Sequence, residues 1–344
     1  MSGIQKNILK WSLTLVLIIG STYLAVKDVD FDELVSVLKG ANYLWAIVPI
    51  PIIILSHFIR AIRWKTILKP IQEPGPTINL FSAVMVGYFF NAILPRLGEF
   101  VRPYVYAKRR NTSVSSAFAT IIVERVIDVF TLGFLFVIAF IISRDKIVEM
   151  LPGVDAERII MFSVFVFVIL LFGFYPPFVN YLLRFLVKPF SEKVYLRLTD
   201  MFEKFRKGFT IIKTPGSYIR LAVESLLIWA CYALPMYIMF YCFDFHTYID
   251  VQLSDALFLV IVSGIGVTIA PTPSGIGVMH FLIMYAMMGL YGLKEETALA
   301  YATINHAVGL MVQLLVGGMF LIRERSAKLS LKGTMNTDEL EHQS

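Results

Sequence analysis

Charged residues sit here in stretches where a membrane-crossing chain ordinarily excludes them. In one long apolar run, Ser116, Thr120, Glu124, Asp128 and Thr131 step by four, four, four and three. At 3.6 residues per turn, that spacing draws one polar stripe along a helix. Arg125 is adjacent to Glu124 and three residues from Asp128. An ionisable group inside a span costs about 3 kcal/mol even on the mildest insertion scale, so it faces a cavity or a partner. Two roles fit the trio. The carboxylate pair could take up a proton or steer a cation, with Arg125 balancing its charge. Alternatively, the three form a buried cluster that locks helices together.

Two proline- and glycine-punctuated segments interrupt the hydrophobic stretches. The first is Asn91-Ala-Ile-Leu-Pro95-Arg96-Leu-Gly98-Glu99-Phe-Val-Arg102. Its Arg96 and Arg102 could fork onto a phosphate or carboxylate headgroup beside Glu99. Asn91 could cap the broken helix or touch the substrate. Positive-inside anchoring is the competing explanation, strongest for Lys108, Arg109 and Arg110. The second is Ala270-Pro271-Thr-Pro273-Ser274-Gly275-Ile-Gly277-Val-Met-His280. Glycines there permit close backbone approach. A half-helix starting after Pro273 would present its N-terminus to an anion. His280 lies on the returning limb, and Asn305, His306, Gly309, Gln313 and Gly317 share one side of the last apolar run. His280 and His306 are candidates for proton coupling. The competing account makes them hydrogen-bonded core residues and the glycines a packing surface.

The elements that carry these groups follow from composition. The chain has 344 residues, 57% hydrophobic and only 16% charged, with a mean hydropathy of +0.72. A soluble domain needs more charge than this. Apolar runs fall near 8–26, 43–60, 78–94, 115–143, 159–177, 218–243, 255–292 and 299–322. The net charge of +6 is spread over short loops, so membrane topology accounts for it and nucleic acid is not an expected partner. Lys6 and Lys10 precede the first run, which reads as an uncleaved span. Trp11, Trp45 and Trp64 read as interface anchors. Cys231 and Cys242 share one apolar run, and no metal-type spacing occurs.

Loop charge then orders the spans. Asp28, Asp30, Asp32 and Glu33 read as outside; Arg60, Arg63, Lys65 and Lys69 read as inside. The next loop is basic again, so 78–94 must enter and return on one side, turning at Pro95–Gly98. Asp244, Asp250 and Asp255 read as outside and the segment after Arg323 as inside. The 255–292 run must therefore turn back as well, near Pro271–Gly277. The expected fold is all-α: about six spanning helices plus two re-entrant helical hairpins in an inverted repeat. Both termini are expected in the cytoplasm. An amphipathic interfacial helix is expected at about 190–213, from apolar residues recurring at helical spacing between lysines and arginines.

At these motifs the sequence resembles the lysylphosphatidylglycerol-synthetase transmembrane region, the flippase-like family. Asn91…Pro95-Arg96-x-Gly98-Glu99-x-x-Arg102, Glu124-Arg125-Val-Ile-Asp128 and Pro271-Thr-Pro273-Ser-Gly275-Ile-Gly277 carry the likeness, which runs from about Trp11 to Arg325. The resemblance implies a polytopic inner-membrane protein that translocates lipid, with 1–325 as one transmembrane domain and 326–344 as a disordered cytoplasmic tail. Many members have glutamate where this chain has His280. The soluble aminoacyl-transfer domain of bifunctional members is not found, so lipid aminoacylation is not expected. The expected function is a non-enzymatic flippase-like transporter of an amphipathic, anionic lipid or lipid-linked headgroup, with no cofactor. Substrate binding falls to Asn91, Arg96, Glu99, Arg102, Pro273, Ser274, Gly275 and Gly277. Coupling or buried charge falls to Glu124, Arg125, Asp128, His280 and His306. Membrane lipids are the expected partners, and homo-oligomerisation is left open. The alternatives are a carrier of a small solute or ion and a non-transporting scaffold.

Overall fold

The computed structural model describes residues 3–142, 157, 161, 176–189, 191–192, 195–196, 199, 215–269 and 272–326, and every regular element among them is helical. Most of the apolar run at 159–177, nearly all of the interfacial helix expected at 190–213, Pro271 and the tail after Ser326 lie outside the described residues.

Helix α1 (Gly3–Val26) leads to α2 (Phe31–Gly40), whose first turn is closed by Asp30 Oδ1 accepting from the N–H groups of Asp32 and Glu33. The short α3 (Leu44–Ile47) runs into α4 (Pro49–Leu68), which begins at a proline whose missing N–H costs nothing at that position. The other long helices are α7 (Val114–Ile142), α9 (Pro215–Met239) and α12 (Glu295–Ser326); α8 (Pro176–Leu186) is a shorter amphipathic piece. Five stretches are long and apolar enough to cross a bilayer: Leu44–Leu68, Val114–Ile142, Gly216–Phe243, Pro273–Tyr291 and Glu295–Arg325. The chain is thus a multi-pass integral membrane protein.

Four further helices pair into two hairpins. In the first, α5 (Thr77–Ile93) is followed by α6 (Gly98–Arg110). Asn79 Oδ1 accepts from Arg109 near the base and Asn91 Oδ1 accepts from the Gly98 N–H at the tip, so the limbs are antiparallel. In the second, α10 (Leu253–Ile269) is followed by α11 (Val278–Tyr291). The Tyr291 hydroxyl donates to Asp255 at the base, and Gly266 faces Leu282 nearer the tip. At 17 residues, α5 and α10 each span roughly 25 Å, less than a bilayer's hydrocarbon core.

The tips share a local design. Leu94 and Thr272 are extended, as residues before proline are driven to be. Pro95 and Pro273 follow. Next comes a non-glycine residue in the left-handed region, Arg96 at φ 61° and Ser274 at φ 51°. The sequence placed the start of the second returning helix after Pro273. Pro273–Gly275 is a single 3-10 turn and α11 starts at Val278, because Gly275 and Gly277 both take positive φ and break the helical path.

Helix α12 fixes how the hairpins oppose each other. It has 32 residues and so runs roughly 48 Å. Only Gly292–Lys294 separate its first turn from the base of the second hairpin. Its last turn holds the base of the first, where Glu324 accepts from Ser82 and, at 2.7 Å, from Arg109. Between these ends, Gln313 bonds Ser274 and Gly317 lies against the Met85 carbonyl of α5. The bases lie at opposite ends of α12, and the tips meet between them, where Arg96 Nη2 donates to the Thr268 carbonyl at 2.9 Å. The apolar packing is likewise divided. One core, around Phe240, Phe245, Leu259 and Tyr301, surrounds the second hairpin; another, around Trp64, Leu80, Val105 and Tyr106, surrounds the first.

Three sequence assignments change. Arg60 and Arg63 are not loop residues: α4 continues to Leu68 and both are buried, their guanidiniums held by carboxylates of α7. Asp255 is not an exposed loop charge but is fully buried in the first turn of α10, where it accepts from Tyr291 and the Gln252 N–H. Trp64 is not an interface anchor. It is fully buried, its Nε1 donates to Thr120, and its ring lies 4.1 Å beneath the Arg102 guanidinium.

Candidate functional site

Arg60 and Arg63 are three residues apart, so α4 presents both to the same neighbour. That neighbour is the polar stripe of α7. Arg60 Nη1 donates to Glu124 at 2.5 Å and to Asp128 at 3.1 Å, while Nη2 reaches the Tyr232 hydroxyl of α9 at 2.9 Å. Arg63 donates to Asp128 at 2.6 Å and to Ser225 at 3.0 Å. From α6, Arg102 grips Glu124 with both terminal nitrogens, at 2.9 and 2.8 Å. Arg125 adds contacts of 3.1 Å to Glu124 and 3.3 Å to Asp128, and lies 4.0 Å from Glu99. Glu124 is fully buried, and Arg60, Arg63 and Arg102 are at most 6% exposed.

The chemistry of the trio changes in this setting. Four guanidiniums surround two carboxylates. The oxygens of Glu124 are occupied by donors from three arginines. Such a geometry ties α4, α6 and α7 together, and removing one partner would strand a buried charge. Arg102 is spent inside the protein rather than offered beside Arg96.

The hairpin tips enclose a cavity of about 530 Å³. Asn91, Arg96, Glu99, Arg125, Asp128, Ser274 and Gly275 lie on its wall, with Arg60, Tyr88, Tyr232, Thr272 and Gln313. Arg96 at the tip is exposed, and its guanidinium donates to a backbone carbonyl, that of Thr268. Across the cavity the tip of the second hairpin is neutral. Ser274 Oγ bonds Gln313 at 3.2 Å, and the Ser274 carbonyl is 3.0 Å from His306 Nε2. His280 stands edge-on to His306 with ring centroids 4.7 Å apart, and its Nδ1 accepts from the Gly277 N–H at 3.3 Å. The two histidines thus form a pair behind the tip. Gly277 faces away from the cavity: a Cβ there would strike Ser21 and Thr22 of α1. Pro273 shapes the turn and does not line the cavity.

Of the site candidates, Asn91, Arg96, Glu99, Arg125, Asp128, Ser274 and Gly275 line the cavity; the sequence reading missed Arg60, Tyr88 and Tyr232 on its wall and Arg63 behind it. A signal for the arginines was present: Ser56, His57, Arg60, Arg63 and Trp64 recur at helical spacing in an apolar run, the same pattern that marked Glu124 and Asp128. The tyrosines carry no comparable signal, since aromatic residues are abundant throughout.

Comparisons with known proteins place the chain among membrane proteins. A UPF0104 membrane protein of Methanocaldococcus jannaschii is 25% identical over 92% of this chain and 96% of its own length. A UPF0104 membrane protein of Pyrococcus horikoshii is 22% identical over 92% of this chain and 98% of its own. A protein named glycosyltransferase AglD, from Haloferax volcanii, is 24% identical over 92% of this chain but only 54% of its own length. The family model described as the lysylphosphatidylglycerol synthase TM region matches residues 11–317. With residues 11–317 matched, most of its length, the chain belongs to the lysylphosphatidylglycerol synthase transmembrane-region family.

Proposed function

We propose that this protein moves an amphipathic, anionic lipid or lipid-linked headgroup between membrane leaflets, as a carrier and not as an enzyme. The observation that supports it most is the cavity between the two hairpin tips, with Arg96 at its mouth and a guanidinium-rich wall behind. An anion can enter such a wall without stranding a new charge. The headgroup passes between the tips while its chains stay in the bilayer. In this reading the hairpins are re-entrant from opposite faces. With six spans they make an inverted repeat in the cytoplasmic membrane, and both termini are cytoplasmic. The opposed bases on α12 and the shared tip geometry support that topology. A relative named as a glycosyltransferase includes the same region within a longer chain, which suits a lipid-linked headgroup as cargo.

Glu124 and Asp128 then act as counter-ions that hold the arginines in place. The histidine pair His280 and His306 is the better candidate for any proton coupling, because neither faces a charged partner among the described residues. Protein reconstituted in liposomes carrying headgroup-labelled lipids tests the proposal. Wild type should speed the loss of label protection, and Arg96→Ala should abolish that gain while the protein stays folded. Equal rates with and without protein across anionic lipids would refute it. Uptake of a water-soluble anion with no lipid movement would favour the small-solute carrier.

A further inference from the structure

We propose that a recess between α4, α5, α6 and α7 receives the terminal phosphate of a phosphate monoester, selecting this dianion over a phosphodiester; the inference rests on the carrier reading and deepens it. The recess is about 50 Å³ and is lined by Arg60, Arg102, Arg125, Tyr88, Asn91 and Glu99. At about 30 Å³ per water in the liquid, it holds roughly one or two waters, and it opens toward the large cavity. Arg60, Tyr88, Asn91, Glu99 and Arg125 also line the large cavity, so a chain attached to the phosphate has a continuous way out.

Charge and hydrogen bonding specify the ligand. Arg60, Arg63, Arg102 and Arg125 surround Glu124 and Asp128; Glu99 adds a third carboxylate beside Arg125, and Arg96 a fifth guanidinium at the tip. Nearby Glu224 is matched by its own Arg220. Among the described residues the cluster around the recess therefore keeps one positive charge in excess, costly there without a counter-ion, and the exposed Arg96 at the tip adds a second. The Nε–H groups of Arg60, Arg63, Arg102 and Arg125 are buried without a hydrogen-bond partner, that of Arg125 lying 4.0 Å from Glu99. Buried donors are ordinarily satisfied. A phosphate monoester carries about −1.5 to −2 at pH 7 and offers three strong acceptor oxygens. It matches the excess charge. A diester carries one charge, so it leaves the second excess charge unanswered.

Calorimetry on the full chain in nanodiscs of zwitterionic lipid tests this, with dodecyl phosphate, methyl dodecyl phosphate and inorganic phosphate as probes. At pH 7.5 dodecyl phosphate should bind about tenfold or more tighter than its methyl diester, the scale of one charge-assisted hydrogen bond. At pH 5, below the second phosphate pKa of about 6, that preference should shrink to about threefold or less. Arg125→Gln, which leaves Glu124 gripped by Arg60 and Arg102, should cost the monoester about tenfold and the diester little. Should that variant fail to fold, Arg96→Gln at the exposed tip should narrow the same preference. Competition by inorganic phosphate would support a phosphate site supplied from water; tight dodecyl phosphate without such competition would support a lipid-borne one. Equal affinity for monoester and diester at pH 7.5 overturns the inference even if diester lipids are translocated. Selective monoester binding with no lipid movement upholds it and removes the carrier reading instead.

Discussion

In the first hairpin, the limb beyond the tip carries Arg102 into a buried ring with Arg60, Arg63, Glu124, Arg125 and Asp128. In the second, the corresponding limb carries His280 beside His306, and the tip offers a hydroxyl, a carbonyl and glycines. The tip backbones follow the same course, extended residue, proline, left-handed residue, yet one half supplies charge and the other neutral polarity. Opposed architecture therefore does not impose matching chemistry. The first hairpin is tied to its frame by ion pairs whose loss strands charges, the second by apolar packing and neutral hydrogen bonds. Moving the second hairpin breaks fewer buried ionic contacts.

The strongest way to break this contrast is to remove the centre of the charged half. Glu124→Leu leaves three buried guanidiniums short of a partner and should cost about 3–5 kcal/mol. Ser274→Ala in the neutral half should cost about 1 kcal/mol or less. Thermal unfolding of both variants in one detergent measures the gap, and equal midpoints would erase the distinction.

Glycine substitutions sharpen it. A Cβ on Gly98 would sit 1.9 Å from the Gly87 carbonyl oxygen, a backbone atom that cannot step aside. A Cβ on Gly266 meets the end of the Leu282 side chain at 2.0 Å, which can rotate away. Gly98→Ala should therefore destabilise by about 3 kcal/mol, and Gly266→Ala by about 1 kcal/mol or less. Similar losses would show that the hairpins are equally tightly built. A smaller effect is expected at the first tip, where Asn91→Ala frees the Gly98 N–H and should cost about 1 kcal/mol. Faster exchange of that amide is the readout.

The smallest effect lies outside the membrane. Lys294 donates to Glu33 at 2.7 Å, and that hydrogen bond raises the Lys294 ammonium above its ordinary pKa. A raised folded-state value means any stabilisation is complete below the unfolded pKa of about 10.4 and is lost as pH rises through the folded value. Both side chains are exposed. Lys294→Met should leave the unfolding midpoint unchanged between pH 6 and 9, as expected for a surface pair.

Some of this molecule is legible in one dimension. Pro95 and Pro273 mark both tips, because the residue before a proline is driven out of the helical region wherever it occurs. The stripe from Thr120 to Asp128 is legible because helical period is a local property. Arg60 and Arg63 show the limit: adjacent to Lys65 and Lys69, they look like the basic end of a span. Only the packing of α4 on α7 makes them the partners of Glu124 and Asp128. Trp64 and Asp255 were misplaced for the same reason, since burial depends on which distant helix arrives.

Composition, apolar run length and proline spacing by themselves determined a membrane protein with two broken segments and ionisable residues at depth. These properties follow from the cost of bare backbone and charge in hydrocarbon, which each stretch of chain bears alone. Which guanidinium meets which carboxylate, how much positive charge is left over, and that the two tips face one cavity were decided only by tertiary structure. Those are sums over residues far apart in the chain, such as Arg60, Arg102 and Glu124, and no local pattern fixes the distances between them.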